Sequence, residues 1–267
     1  MGRRDAKAST GWEILGAGCA EGITLALDFD AVGRPEACFA ELMPMLNPVR
    51  ETWRAVQPQA ADGVAPASSA YLEFWSSSLR ERGTVIHAVL GFCAGALFAA
   101  ALAERITQWQ PAAPAVVLLD PERPTAATLI RQFDNAMRGL AAVTSSAEVA
   151  GAREAAGRLS DEPDLQLISS RLTALYGEVS KPAFTRLGLK PAFQDDLIAS
   201  YEQLMSYLVA AAGTQPAPGL AAASTISSIT PPCQSQTAVS WVAAGVDHAG
   251  LLRSPAVAAK VSELLGQ

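Results

Sequence analysis

The sequence predicts an α/β protein: a mostly parallel central sheet flanked by helices and interrupted by a long helical insertion. Three observations carry this expectation. Thr84–Leu90 and Ala115–Leu119 are nearly continuous apolar runs, the pattern of strands buried on both faces, and an alanine-rich helical stretch lies between them. Strand, helix, strand is a βαβ unit, so the sheet is parallel there. Residues 122–210 carry amphipathic helical patterns without a strand signal, after which strand signals resume at Thr225–Ile229 and Ala238–Ala243.

Taken in order, Gly22–Phe29 is a short apolar run rich in branched residues, expected of a buried strand. Asp30–Pro35 reads as a turn, and Phe39, Leu42, Met43 and Leu46 then recur at helical spacing. Thr52–Val56 is a second, weaker strand, ending in a Pro/Ala/Gly/Ser loop from Pro58 to Ser69. Ala70–Arg82 is helical, with Tyr71, Phe74, Trp75 and Leu79 on one face and Gly83 as its stop. After the strand at 84–90 and the turn Gly91–Gly95, a helix runs to about Gln110. Pro163, Pro182, Gly188 and Pro191 punctuate the helical stretch, one helix of which carries Leu197, Tyr201, Leu204, Met205 and Leu208. A loop at Gly213–Gly219 precedes the late strands, and a last helix carries Leu251, Val257, Val261 and Leu264. No internal repeat is present. The expected organisation is one domain over 1–267, with a core at about 22–121 and 211–267 and a helical insertion at about 122–210.

Composition narrows the function classes. The 267 residues are 50% hydrophobic and 17% charged, enough for a substantial core, and the formal net charge is −6. No Lys/Arg cluster accompanies the pI near 5.0, which argues against nucleic acid or an anionic membrane as partner. The longest apolar run, around Leu97 to Leu102, falls far short of the ~20 residues a membrane span needs. The opening Met1-Gly2-Arg3-Arg4-Asp5 is basic, but no apolar stretch or cleavage site follows, so the expectation is a soluble, cytoplasmic protein. Four cysteines fit neither a disulfide scaffold nor a zinc ribbon, and two histidines are too few for a multi-histidine metal site. Chemistry that needs an imidazole must use His87 or His248.

Gly91-x-Cys93-x-Gly95, set between a buried strand and a helix, is a nucleophile-elbow pattern with Cys where Ser is usual. The glycines suit a strained, tight turn whose flanks press on the neighbouring strand and helix. The turn would lift the Cys93 sulfur above the sheet at a helix N-terminus, where the dipole and free N–H groups favour thiolate over thiol. The backbone N–H of Ala94 would point to where an oxyanion forms. A strand ends in Asp120, 27 residues downstream, and His248 follows the last strand; nucleophile, acid, histidine is the chain order an elbow of this kind demands.

Competing residues have plainer readings. His87 lies inside the strand leading to the elbow and reads as a locally bonded core histidine, whereas His248 sits on a loop from which an imidazole reaches across. Asp247 adjoins His248, but neighbours in extended chain point apart, so it reads as structural. Glu122, two residues past Asp120, is the alternative acid if the strand register slips. Asp195 and Asp196 solvate a helix face, and Phe133, Tyr176, Phe184, Phe193 and Tyr201 read as helix packing. Gly16-x-Gly18-x-x-Glu21 mimics a dinucleotide fingerprint, but no strand is expected before it and a strand, not a helix, follows.

Gly91-Phe92-Cys93-Ala94-Gly95-Ala96-Leu97, Val117-Leu118-Leu119-Asp120-Pro121 and Asp247-His248-Ala249-Gly250-Leu251-Leu252 together resemble the thioesterase family of non-ribosomal peptide and polyketide synthesis. The resemblance spans about residues 22 to 265. It implies an α/β-hydrolase fold with a helical lid between the sixth and seventh strands, and an acid that follows the sixth strand. It further implies Cys93 as nucleophile, Asp120 as acid and His248 as base. The family's second oxyanion donor lies in the loop after its first core strand, which maps onto Asp30 or Ala31. That loop departs from the family's Pro/Gly-rich pattern.

Cysteine changes the chemistry. Serine captures an acyl group as an oxygen ester, lower in energy than the carrier thioester. Cysteine captures it as another thioester and retains its activation for an amine, a hydroxyl, another carrier thiol, ring closure or water. The expected activity is a free-standing, cysteine-dependent thioesterase or acyltransferase. Its partner would be an acyl or peptidyl carrier protein presenting substrate on a phosphopantetheine arm, and no cofactor is called for. The alternatives are a small-molecule cysteine hydrolase resembling dienelactone hydrolase, which also has GxCxG, and a non-catalytic carrier-docking module.

Overall fold

Over residues 11–29, 36–47, 50–58, 65–217, 222–229 and 239–266, which the computed structural model describes, the apolar runs become strands and the periodic stretches become helices. The first half holds β1 (Trp12–Gly16), β2 (Ala20–Leu27), α1 (Phe39–Leu42), β3 (Arg50–Ala55), α2 (Ser68–Arg82), β4 (Ile86–Phe92), α3 (Gly95–Ile106) and β5 (Ala115–Leu119). Four helices follow, α4 (Ala126–Gly139), α5 (Ser146–Gly157), α6 (Leu165–Arg186) and α7 (Pro191–Ala212), and the chain returns as β6 (Ser224–Ser227), β7 (Val239–Val242) and α8 (Pro255–Leu265). The sheet order is β1-β3-β2-β4-β5-β6-β7, with every pairing parallel except β1 with β3.

Four features differ from the sequence expectation. The sheet begins at Trp12, ahead of the expected start at 22. β1 therefore precedes the Gly16-x-Gly18-x-x-Glu21 segment, yet β2 and not a helix follows it. Gly18 is needed for packing: a Cβ there would come within 2.1 Å of the Arg50 carbonyl carbon. Five described strands precede the helical segment, one fewer than the resemblance implies, so it lies between β5 and β6. Pro182 does not break the helical stretch but lies inside α6, whose 22 residues survive the loss of one backbone donor. The exposed edge of the helical stretch includes Phe193, 52% exposed, whereas Phe133, Tyr176, Phe184 and Tyr201 are buried as expected.

The chain divides into two compact units: Met1–Asp28, Pro35–Arg123 and Gly213–Gln267 form one, Phe29–Arg34 and Pro124–Ala212 the other. In the first, an aromatic cluster on one face of the sheet joins Trp12, Tyr71, Trp75 and Phe98. Tyr71 stacks on Phe98 at 5.3 Å and Trp75 meets it edge-on at 5.2 Å. Both Trp indoles are satisfied, Trp12 Nε1 donating to the Trp75 carbonyl and Trp75 Nε1 to the Val56 carbonyl. The opposite face, carrying Leu90, Phe92, Val117 and Leu119, packs with Phe39, Leu42, Leu251, Val257 and Val261. In the second unit the helices are locally specified: the Thr125 side chain caps α4, Ser145 and Glu148 form a capping box on α5, and Asp164 caps α6. Tyr176 and Tyr201 stack at 4.1 Å between α6 and α7.

Gly91 shows how tightly β4 and α3 approach. A Cβ there would lie 2.5 Å from the Ala96 Cα and 2.7 Å from the Ala99 Cβ. Gly91→Ala should therefore lower the urea midpoint by an amount worth ~1–3 kcal/mol, as overpacked cores do. Gly177→Ala, in the interior of α6 with nothing within 4 Å of the new Cβ, should instead raise it by up to ~1 kcal/mol.

Candidate active site

Register builds the site. Phe92 of β4 lies level with Leu119 of β5, and Leu119 with Ile226 of β6. The residues that follow these strands, Cys93, Asp120 and the turn after β6, thus emerge together at the C-terminal edge of the sheet, where open parallel sheets bind ligands. Cys93 and Asp120 share a second property. Among the described residues they are the two non-glycines with positive φ, at 54° and 43°. A non-glycine pays roughly 1 kcal/mol or more for that conformation, which persists only where the surroundings enforce it.

The enforcing bonds are identifiable. Cys93 N–H donates to the Leu119 carbonyl at 2.9 Å, while the Cys93 carbonyl accepts from Ala96 N–H at 3.1 Å and Glu122 N–H at 3.3 Å. Asp120 N–H donates to the Ile226 carbonyl at 2.9 Å. The sharp turn after β4 delivers the Cys93 side chain to the start of α3 with 7% exposure. No described backbone acceptor takes the Ala94 N–H, which leads into α3. Asp30 and Ala31, the expected second oxyanion donors, lie outside the described residues, as does Cys233.

Asp120 is completely buried, and both carboxylate oxygens are bonded. Oδ1 accepts from the Ser228 backbone N–H at 2.7 Å, and Oδ2 lies 2.8 Å from Nδ1 of His248. Nδ1 therefore carries a proton and Nε2 is left to face the sulfur, with which His248 also hydrogen-bonds. Phe92 stacks on the imidazole, ring centroids 4.8 Å apart and planes within 19°. Burial disfavours the charged ring, but the hydrogen bonds and negative charge of Asp120 and Cys93 more than offset it and push the His248 pKa up to about 10.

Glu122 is the surprise of the site. The register does not slip, so Asp120 and not Glu122 holds the histidine. Glu122 is nevertheless 5% exposed, and its Oε2 lies 3.6 Å from the Cys93 sulfur. The remaining candidates take the plainer roles. His87 donates from Nε2 to the Leu265 carbonyl at the end of α8, 3.0 Å away, so its partner is distant in sequence and not local. Asp247 accepts from the Gly250 N–H at 2.8 Å and closes the turn that carries His248. Asp195 and Asp196 are exposed on α7. Sequence reasoning missed Phe92 as the platform for the imidazole and Ser228 as the donor to Asp120. No local signal marks either, since Ser228 is 108 residues from its partner. Among the described residues no cluster of three or more His, Cys, Asp or Glu side chains has the geometry of a metal site.

No protein-family model matches the chain, and no curated protein matches it in sequence. Solved structures match it over nearly its full length. The NocB thioesterase domain from the nocardicin cluster aligns with a TM-score of 0.54 at 13% identity, covering 97% of this chain and 100% of that one. The Vlm2 thioesterase domain carrying 2,3-diaminopropionic acid with a bound dodecadepsipeptide gives 0.52 at 16%, covering 96% and 97%. A haloalkane dehalogenase loop variant from Bradyrhizobium elkanii gives 0.52 at 14%, covering 96% and 92%. The chain has the α/β-hydrolase fold. In this fold Cys93 follows β4, Asp120 follows β5 and His248 lies on the loop after β7. Among the described residues no helix is long and apolar enough to cross a membrane.

With two histidines in the chain, the imidazole signals are separable by nuclear magnetic resonance. One should titrate near pH 10, and Asp120→Asn should bring it down by at least one unit. The folded pKa lies above the ordinary 6.5, so the stabilisation from the charged ring is complete below about 6.5 and is lost as pH rises through about 10. Urea unfolding across that window should show the decline in the parent protein and a flatter profile in Asp120→Asn.

Proposed function

We propose that this α/β-hydrolase is a cysteine-dependent thioesterase or acyltransferase acting on acyl or peptidyl groups carried as thioesters. The observation that carries the reading is the concentration of enforced strain at Cys93 and Asp120, each at the end of neighbouring strands and both bonded to His248. Strain held by flanking hydrogen bonds characterises functional sites, and a packing cysteine has no use for it. Two of the fold's solved neighbours are thioesterase domains, which supports this reaction class, while the dehalogenase shows that the fold also hosts other chemistry.

The chemistry proceeds as follows. The Cys93 sulfur attacks the thioester carbonyl, and the oxyanion forms against the Ala94 N–H, with Asp30 or Ala31 as the proposed second donor. The imidazolium formed when His248 Nε2 takes the Cys93 proton gives that proton to the departing thiolate, while Asp120 holds the ring by Nδ1 and favours the cation until that step. The product is an acyl–Cys93 thioester, close in energy to the substrate, whose activation serves transfer, cyclisation or hydrolysis. No step needs a cofactor. The proposed partner is an acyl or peptidyl carrier protein with a phosphopantetheine arm, and the proposed compartment is the cytoplasm.

Intact-protein mass spectrometry with acyl-carrier thioesters tests this directly. Cys93→Ala should show no acyl mass, while a variant lacking Cys19, Cys38 and Cys233 should still acylate. Acylation of Cys93→Ala, or an absence of acylation in the parent with every acyl-carrier and acyl-N-acetylcysteamine thioester offered, would remove the proposal. His248→Ala should slow acylation by ~10²-fold or more. Cys93→Ser should still acylate but shift products from transfer toward hydrolysis.

A further inference from the structure

The sulfur has two partners, and the mechanism above uses one. His248 accounts for capture, but the Glu122 carboxylate, Oε2 at 3.6 Å from Sγ, has no task in it. Its position is built. Glu122 follows the strained Asp120 by two residues, its backbone N–H is bonded to the Cys93 carbonyl, and its side chain is 5% exposed. The carboxylate is thus tied to the nucleophile through both main chain and side chain. Holding a buried carboxylate beside a nucleophilic sulfur is unfavourable unless a donor lies between them, and the Cys93 S–H is that donor whenever the proton it shares with His248 rests on the sulfur.

Acylation removes this donor. Once the sulfur bears an acyl group it has no hydrogen, and Glu122 loses one of its bonding partners at the moment the second half of the reaction begins. The acceptor molecule brings a replacement, because water, an alcohol and an amine all carry an O–H or N–H at the attacking atom. We propose that Glu122 is a second proton-transfer residue dedicated to release: it binds the acceptor's O–H or N–H beside the acyl–Cys93 thioester and passes that proton to the departing sulfur. This rests on the reading of Cys93 as the acylated nucleophile. The step balances. The acceptor's oxygen or nitrogen bonds to the acyl carbon, the carbon–sulfur bond breaks, and the acceptor proton moves to Glu122 and then to Sγ. Nothing is oxidised or reduced, and the regenerated thiol faces Glu122 until its proton passes to Nε2 of His248 for the next capture. Capture and release are then served by different groups, His248 for the incoming leaving thiol and Glu122 for the acceptor.

A single-turnover experiment separates the two halves. Parent and Glu122→Gln enzymes are mixed with hexanoyl-N-acetylcysteamine thioester, and intact mass follows first the gain and then the decay of the acyl-enzyme, in water and with added glycinamide. Capture should agree within about threefold, and release to either acceptor should fall by ~10²-fold or more. Glu122→Asp should recover part of the release rate, and formate should restore release in Glu122→Ala. Only folded molecules become acylated, so decay measured on the acylated species is free of any folding defect. Unchanged release, or capture and release falling together, would overturn the assignment and leave Glu122 a packing residue. Absence of any acyl mass on the parent would instead remove the reading of Cys93, and this inference with it.

Discussion

A carboxylate with no exposure to water organises one edge of this molecule. Burying Asp120 is unfavourable unless each oxygen finds a donor, and the two donors come from different parts of the chain, the Ser228 N–H after β6 and the His248 imidazole after β7. Satisfying the charge therefore demands that β5 and β6 pair in one register and that the β7 loop fold back over both. A one-residue slip in that pairing would turn the carboxylate to the other face and strand it. Site and sheet register are in this sense one constraint.

The strain at Cys93 follows from the same edge. The chain must leave β4, reverse and enter α3 within three residues, while α3 lies so close to β4 that Gly91 has no room for a Cβ. Positive φ at Cys93 is how the backbone makes that reversal, and bonds to Leu119, Ala96 and Glu122 hold it there. Because Leu119 precedes Asp120 and Glu122 follows it, the turn that bears the acid also clamps the turn that bears the sulfur. The charge pattern follows: a cationic ring between an anionic carboxylate and the sulfur, stacked on Phe92, with its pKa pushed up to about 10.

Much of this was legible in the residues. Apolar runs at 84–90 and 115–119 have the period of buried strands, and they fold as β4 and β5. Gly91-x-Cys93-x-Gly95 is local in the same way, because a tight turn excludes side chains according to its own geometry. Two features resisted. β1 was not legible because Trp12–Gly16 is a short edge strand interrupted by Glu13, and β3, with which it pairs among the described residues, lies some forty residues on. Pro182 misleads because proline punctuates helices by local rule, whereas a long packed helix tolerates one missing bond.

The sequence by itself determined the α/β alternation, the elbow, and the order of Cys93, Asp120 and His248, since each is written in backbone period, local sterics or simple scarcity: with two histidines, one inside a strand, the choice was nearly made. Only the tertiary structure decided between Asp120 and Glu122, and it gave each a different neighbour: the histidine for one, the sulfur for the other. Two carboxylates two residues apart carry no local mark that distinguishes them. What separates them is the strand register and the closure of a loop 128 residues away in sequence, and such contacts depend on where distant segments pack and not on the residues beside them.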